Sequence, residues 1–122
     1  LVTERVIDAV AGSTGAVIPV LPVTDTLKTV DAAGVVVGTP RRSDMVAVQT
    51  PQGFRWDVLI RAHEEGASLG ADEARAATDD AGLVEAIGGS VQTVAGDEHS
   101  MKVTRPLDLA LAQILVAEET SA

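Results

Sequence analysis

Three polar stretches interrupt an otherwise aliphatic sequence, and their side chains are of the kinds that hold phosphate. The first is Thr24-Asp25-Thr26-Leu27-Lys28. The second runs from Arg41-Arg42-Ser43 to Gln49-Thr50-Pro51-Gln52-Gly53-Phe54, and the third is Gly96-Asp97-Glu98-His99-Ser100-Met101-Lys102-Val103-Thr104. Arginine offers a planar fork of donors, lysine a compact charge, and threonine short neutral donors. Any one of these stretches could be no more than a solvated loop, so their combination and order carry the argument.

Other polar residues read more plainly. His63 sits in a helical stretch between Ala62 and Glu64 and reads as a surface residue. His99 has no second metal ligand beside it, and Asp97 reads as a loop carboxylate, with approach to a metal in the complete protein as the alternative. Asp79 and Asp80 follow Thr78, where carboxylates complement the positive end of a helix. Thr104 reads as a helix cap that also positions Lys102. Trp56, the only tryptophan, is expected to pack against a neighbour or a second subunit.

The elements that would position these residues follow from apolar spacing. Val2, Val6 and Val10 recur at helical intervals, and Gly12 closes that helix. Residues 15–23 (GAVIPVLPV) form a buried strand, in which Pro19 and Pro22 favour an edge or an irregular course. Residues 26–30 and 35–37 form a hairpin around Asp31-Ala32-Ala33-Gly34. A loop at 40–44 leads to a strand at 45–49. A helix is expected at 54–65 with Phe54, Val58, Leu59 and Ala62 on one face. After a low-complexity loop at 67–77, Thr78 is expected to cap a helix bearing Leu83, Val84 and Ile87, stopped by Gly88-Gly89. A strand at 90–95 and a last helix follow. That helix is capped by Thr104, has Pro106 in its first turn, and turns Leu107, Leu111, Ile114 and Leu115 inward.

Bulk properties narrow the classes. The 122 residues are about one domain, and 46% hydrophobic with 2% aromatic residues implies an aliphatic core suited to layered α/β packing. A net charge of −9 argues against nucleic acid and anionic membranes as partners. The absence of cysteine excludes disulfides and thiolate metal sites and fits a cytoplasmic location. No apolar run approaches the roughly 20 residues of a membrane span, and no basic, signal-like segment opens the chain. The chain starts without Met, already in a helix, as expected of a piece of a longer protein.

Taken in order, Asp25-Thr26-Leu27-Lys28, Arg42-Ser43, Gln49-Thr50-Pro51-Gln52-Gly53-Phe54, Thr78-Asp79-Asp80 and Lys102-Val103-Thr104-Arg105-Pro106-Leu107-Asp108-Leu109 resemble the 2-C-methyl-D-erythritol 4-phosphate cytidylyltransferases. The resemblance spans Gly15 to the last helix. It implies the C-terminal half of a single Rossmann-like nucleotidyltransferase domain over residues 1–122, without the CTP-binding half and its glycine-rich loop. It implies transfer of CMP from CTP to methylerythritol phosphate with release of pyrophosphate, in non-mevalonate isoprenoid synthesis, with Mg2+ held mainly outside this chain. It also implies a homodimer that exchanges an arm at residues 25–45. Thr26 and Arg42, with Lys28 a weaker candidate, would then reach sugar phosphate in the partner's site. Thr50 and Lys102 would face substrate in their own subunit, and Arg42 and Lys102 would carry the catalytic charge. The chain alone is expected not to turn over. A ribitol-phosphate cytidylyltransferase and a non-catalytic dimerisation fragment are the alternatives.

Overall fold

A computed structural model describes residues 1–12, 15–68 and 78–121. In chain order its elements are α1 (Val2–Ala11), β1 (Ala16–Pro22), β2 (Thr29–Val30), β3 (Val36–Gly38), β4 (Val46–Val48), β5 (Gly53–Phe54), α2 (Trp56–Gly66), α3 (Asp80–Ala86), β6 (Gln92–Ala95) and α4 (Pro106–Ser121). A single 3-10 turn, Arg42–Asp44, joins the hairpin to β4. This is a mixed α/β architecture with a separate two-stranded hairpin.

β1 is the centre of the main sheet, so of the two courses that its prolines favour, edge or irregular, the edge does not hold. It pairs antiparallel with β4 and β5 and parallel with β6. The prolines are tolerated because each missing donor falls where a partner strand has ended. Pro19 points its carbonyl at the Gln49 N–H, 2.8 Å away, so its nitrogen faces the interval between the β5 and β4 registers. Pro22 lies beyond the last β6 pair, Val20 with Ala95.

Successive residues of β1 point to opposite faces and build two core clusters. Val17 packs with Val2 and Val6 of α1, while Ala16 packs with Ala62 of α2 and Val84 of α3. The sheet is thus covered by α1 on one face and by α2 and α3 on the other. Contact is close on both sides. A Cβ at Gly53 would collide with Val6 and Val10, and one at Gly66 would stand 3.2 Å from Leu83.

Several boundaries differ from expectation. Phe54 belongs to β5 rather than to a helix, because Gly53-Phe54 pairs with Val17 and Ala16 and the Arg55 N–H continues to the Gly15 carbonyl at 2.8 Å. The helix therefore starts at Trp56, which is 76% exposed and joins neither core cluster of the described residues. The hairpin forms, although its strands are shorter than 26–30 and shifted from 35–37. Asp31 organises its turn, accepting at Oδ1 from the N–H groups of Ala33 (2.9 Å) and Val35 (3.0 Å), and Gly34 takes a φ of +80°.

α4 departs most. Leu107, Leu111 and Ile114 do not turn inward; they are 68%, 45% and 55% exposed. Both sheet faces are already occupied, and Ala112, Leu115 and Val116 of α4 line a shallow pocket with His99, Met101 and Val103. Its start is organised in reverse of the expected cap. The Thr104 N–H and hydroxyl (both 3.1 Å) and the Arg105 N–H (3.0 Å) donate to one carboxylate oxygen of Asp108. Those bonds, led by the Thr104 N–H, hold the Asp108 carboxyl below its ordinary value.

Candidate functional site

The segments that follow β4 and β6 meet beside the sheet, where an open α/β sheet offers a crevice beyond its parallel strands. The Gln49–Gln52 segment leaves β4, the Gly96–Thr104 segment leaves β6, and the start of α3 closes the third side. Between them lies a cleft of about 320 Å³. Thr50, Thr78, Ser100 and Lys102 line it, with Gln49, Gln52 and Asp79 holding its walls. An open groove beside it shares Thr50, Gln52, Thr78 and Asp79 and is floored by Phe54, Leu59 and Leu83.

Each wall has a local cause. Asp79, not Thr78, is the N-cap of α3, its Oδ1 accepting from the Gly82 N–H at 2.7 Å. Its Oδ2 accepts from the Gln52 side-chain amide at 2.8 Å, and the Gln52 Oε1 accepts from the Ala81 N–H at 3.3 Å. The loop after β4 is thereby laced to the start of α3. Asp80 pairs with His63 Nε2 at 2.9 Å across α2 and α3, an exposed contact that agrees with the surface reading of that histidine.

On the opposite side, Gln49 spans to the loop after β6. Its Nε2 donates to the Asp97 carbonyl at 2.8 Å, and its Oε1 accepts from the Asp97 N–H at 2.9 Å. The Asp97 Oδ1 is taken by the His99 N–H at 2.8 Å, so this carboxylate is a turn former as well as a loop residue. His99 stands 3.7 Å from Glu119.

Of the five residues singled out in the sequence, Thr50 and Lys102 meet in this cleft. Among the described residues Lys102 has neither an ion pair nor a hydrogen bond, leaving its ammonium available to an anion. Thr26, Lys28 and Arg42 do not line it. They flank the hairpin, where Lys28 Nζ donates to Thr39 Oγ1 and Arg42 Nη1 to the Thr24 carbonyl, both at 2.7 Å. Thr26 is exposed.

Sequence reasoning missed Thr78, which it read as a cap. Standing one residue before the true cap, Thr78 lines the cleft. Its signal was the Thr78-Asp79-Asp80 string itself, since Asp is as good a cap as Thr. Ser100 was quoted in the third polar stretch but not singled out.

One ammonium, several hydroxyls and amide-braced walls suit a phosphorylated, hydroxyl-rich small molecule. Among the described residues no group of three or more His, Asp or Glu could hold a metal ion. Asp79 and Asp97 already spend carboxylate oxygens on structural bonds. The described residues therefore do not fit a magnesium site by themselves. No helix among the described residues is long and apolar enough to cross a membrane.

The chain is similar to known proteins along most of its length. The chain is 51% identical over 114 residues to the 2-C-methyl-D-erythritol 4-phosphate cytidylyltransferase of Rhodococcus jostii (strain RHA1), covering 93% of this chain and 47% of that protein. It is 53% identical over 112 residues to the enzyme of the same name from Nocardia farcinica (strain IFM 10152), covering 92% and 45%. Among solved structures, it resembles 2-C-methyl-D-erythritol 4-phosphate cytidylyltransferase from Thermus thermophilus, with a TM-score of 0.75 and 38% identity. That match covers 94% of this chain and 54% of the other. The chain spans about half the length of the curated relatives it matches. The family model for IspD, 2-C-methyl-D-erythritol 4-phosphate cytidylyltransferase, matches residues 1–118, and the chain belongs to that family.

Proposed function

We propose that the protein carrying this chain transfers CMP from CTP to 2-C-methyl-D-erythritol 4-phosphate and releases pyrophosphate, the chain supplying the sugar-phosphate side of the site. The observation that carries the reading is the meeting of Thr50, Thr78 and Lys102 in one cleft, in a chain of this family. The nucleophile is already an anionic phosphate oxygen, so no side-chain base is needed. It attacks the α-phosphorus of CTP, and the pyrophosphate leaves with the electron pair of the broken phosphorus–oxygen bond. The obstacle is repulsion between two anions. Lys102 offsets it by holding the attacking phosphate, and the threonine hydroxyls orient the sugar. Magnesium in this reading belongs to the triphosphate.

The arm completes the site from a second copy of the chain in a cytoplasmic homodimer. Thr26, Arg42 and, more weakly, Lys28 would reach sugar phosphate across the dimer. The exposed apolar hairpin supports this: Val30, Val35, Val36 and Val37 are 54–63% exposed, and a lone two-stranded ribbon is marginal in water. The 122-residue chain by itself is expected to be inactive.

The test is pyrophosphate release from CTP and methylerythritol phosphate with magnesium, in a family-length protein carrying this chain. Lys102→Ala should lower kcat/KM by roughly 100-fold or more while leaving CTP affinity nearly unchanged. Turnover of ribitol phosphate in preference to methylerythritol phosphate would reassign the substrate, and loss of CTP affinity on Lys102→Ala would move Lys102 to the nucleotide side.

A further inference from the structure

Lys102 lies on a loop, and its reach into the cleft depends on what fixes that loop. The loop leaves β6 at Gly96, where three elements grip the chain. Arg5 of α1 donates to the Ala95 carbonyl at 2.8 Å, and the Gly96 N–H donates to the Val20 carbonyl of β1 at 2.8 Å. Gln49, next after β4, takes both backbone groups of Asp97 in one bidentate contact. Exchanging the ends of its amide would set donor against donor and acceptor against acceptor, so the contact has one orientation.

The grip passes forward along the loop. The Asp97 carbonyl that accepts from Gln49 also accepts from the Ser100 N–H at 2.9 Å, closing the turn that precedes Lys102. The Asp97 side chain fastens His99 within the same turn. Closeness is enforced by Gly96, whose Cβ, if present, would run into the Gln49 Oε1 and lie 3.0 Å from the Val20 carbonyl. Gln49 also lines the cleft, but its amide oxygen and nitrogen are both engaged by Asp97.

We propose that Gln49 is a positioning residue for Lys102: its amide clamps the Asp97 turn so that Ser100 and Lys102 face Thr50 across the cleft. This rests on the cytidylyl-transfer reading above. Gln49→Met keeps the length of the side chain and removes the clamp, whereas Gln49→Glu keeps only its acceptor half.

In a family-length protein, Gln49→Met should lower kcat by about 10- to 100-fold, the scale of a small misplacement at a reacting group, with KM for CTP unchanged. Gln49→Glu should fall between it and the parent. In the Lys102→Ala background, Gln49→Met should cost almost nothing more, because both changes remove the same contribution. Hydrogen exchange at the Asp97 and Ser100 amides should quicken in Gln49→Met while the β6 amides keep their protection. The proposal is overturned if Gln49→Met keeps the parent's kcat, or if its loss multiplies in full with that of Lys102→Ala. Unchanged kinetics in Lys102→Ala itself would sink the site reading along with it, which separates the two failures.

Discussion

Single side chains in this molecule often serve two neighbours at once. Asp79 caps α3 with one oxygen and braces the Gln49–Gln52 segment with the other, which explains why Asp79 rather than Thr78 takes the cap. Either residue satisfies the local rule, and only the approach of Gln52 from 27 residues away decides between them. Thr78 lines the cleft instead. Asp108 works similarly at the start of α4, gathering three donors from Thr104 and Arg105. Its carboxyl lies below the ordinary 3.8, so it favours the folded state when ionised. That contribution is fully present above the ordinary value and is lost as pH falls through the lowered folded value. We expect the first turn of α4 to loosen under acid in that window, with Asp108→Asn loose at all pH values. Hydrogen exchange at Thr104 and Arg105 as a function of pH would check this; equal protection in both proteins would refute it.

At the scale of elements, alternation and helical spacing located the strands and helices, but which surfaces met was a matter of partners. β1 was legible as a strand, and its prolines as an anomaly. Their resolution needed β4, β5 and β6 in place, because a missing donor matters only where a partner carbonyl awaits it. The Gly53 contact shows the same dependence. We expect Gly53→Ala to destabilise the fold by roughly 1–3 kcal/mol, since its methyl group would drive α1 away from β5. Chemical denaturation measures it, and a change below about 0.5 kcal/mol would mean that α1 yields freely. α4 failed as an inward helix because leucines at helical spacing specify an apolar face without specifying what lies beneath it. In this chain Leu107, Leu109, Leu111, Ile114 and Val116 remain 45–68% exposed.

For the molecule as a whole, the arm exchange proposed above leads to a test that no single subunit can imitate. If Arg42 serves the partner's site while Lys102 serves its own, an Arg42→Ala subunit paired with a Lys102→Ala subunit contains one site with both residues intact. Mixed dimers of two nearly inactive proteins should then recover about half the activity of an unaltered dimer, as two-fold symmetry requires. No recovery on mixing would put both residues in the same subunit's site. Arg42 also donates to the Thr24 carbonyl at the base of the arm. Its removal therefore loosens the arm's attachment as well as subtracting a charge, and Arg42→Lys would retain the charge while losing the planar fork.

What the sequence by itself determined was local and chemical: the helices and longer strands, the hairpin turn built on Asp31 and Gly34, the three polar stretches that interrupt an aliphatic chain, and the family. Each is written in residues adjacent along the chain or in a motif's wording. Only the tertiary structure decided that Thr50, Thr78, Ser100 and Lys102 share one cleft, that Gln49 and Gln52 brace it from either side, and that Arg42 and Lys28 stand apart beside the hairpin. The bracing contacts join residues 27 and 48 positions apart. An amide or a carboxylate finds its partner there only after sheet pairing has brought the loops together.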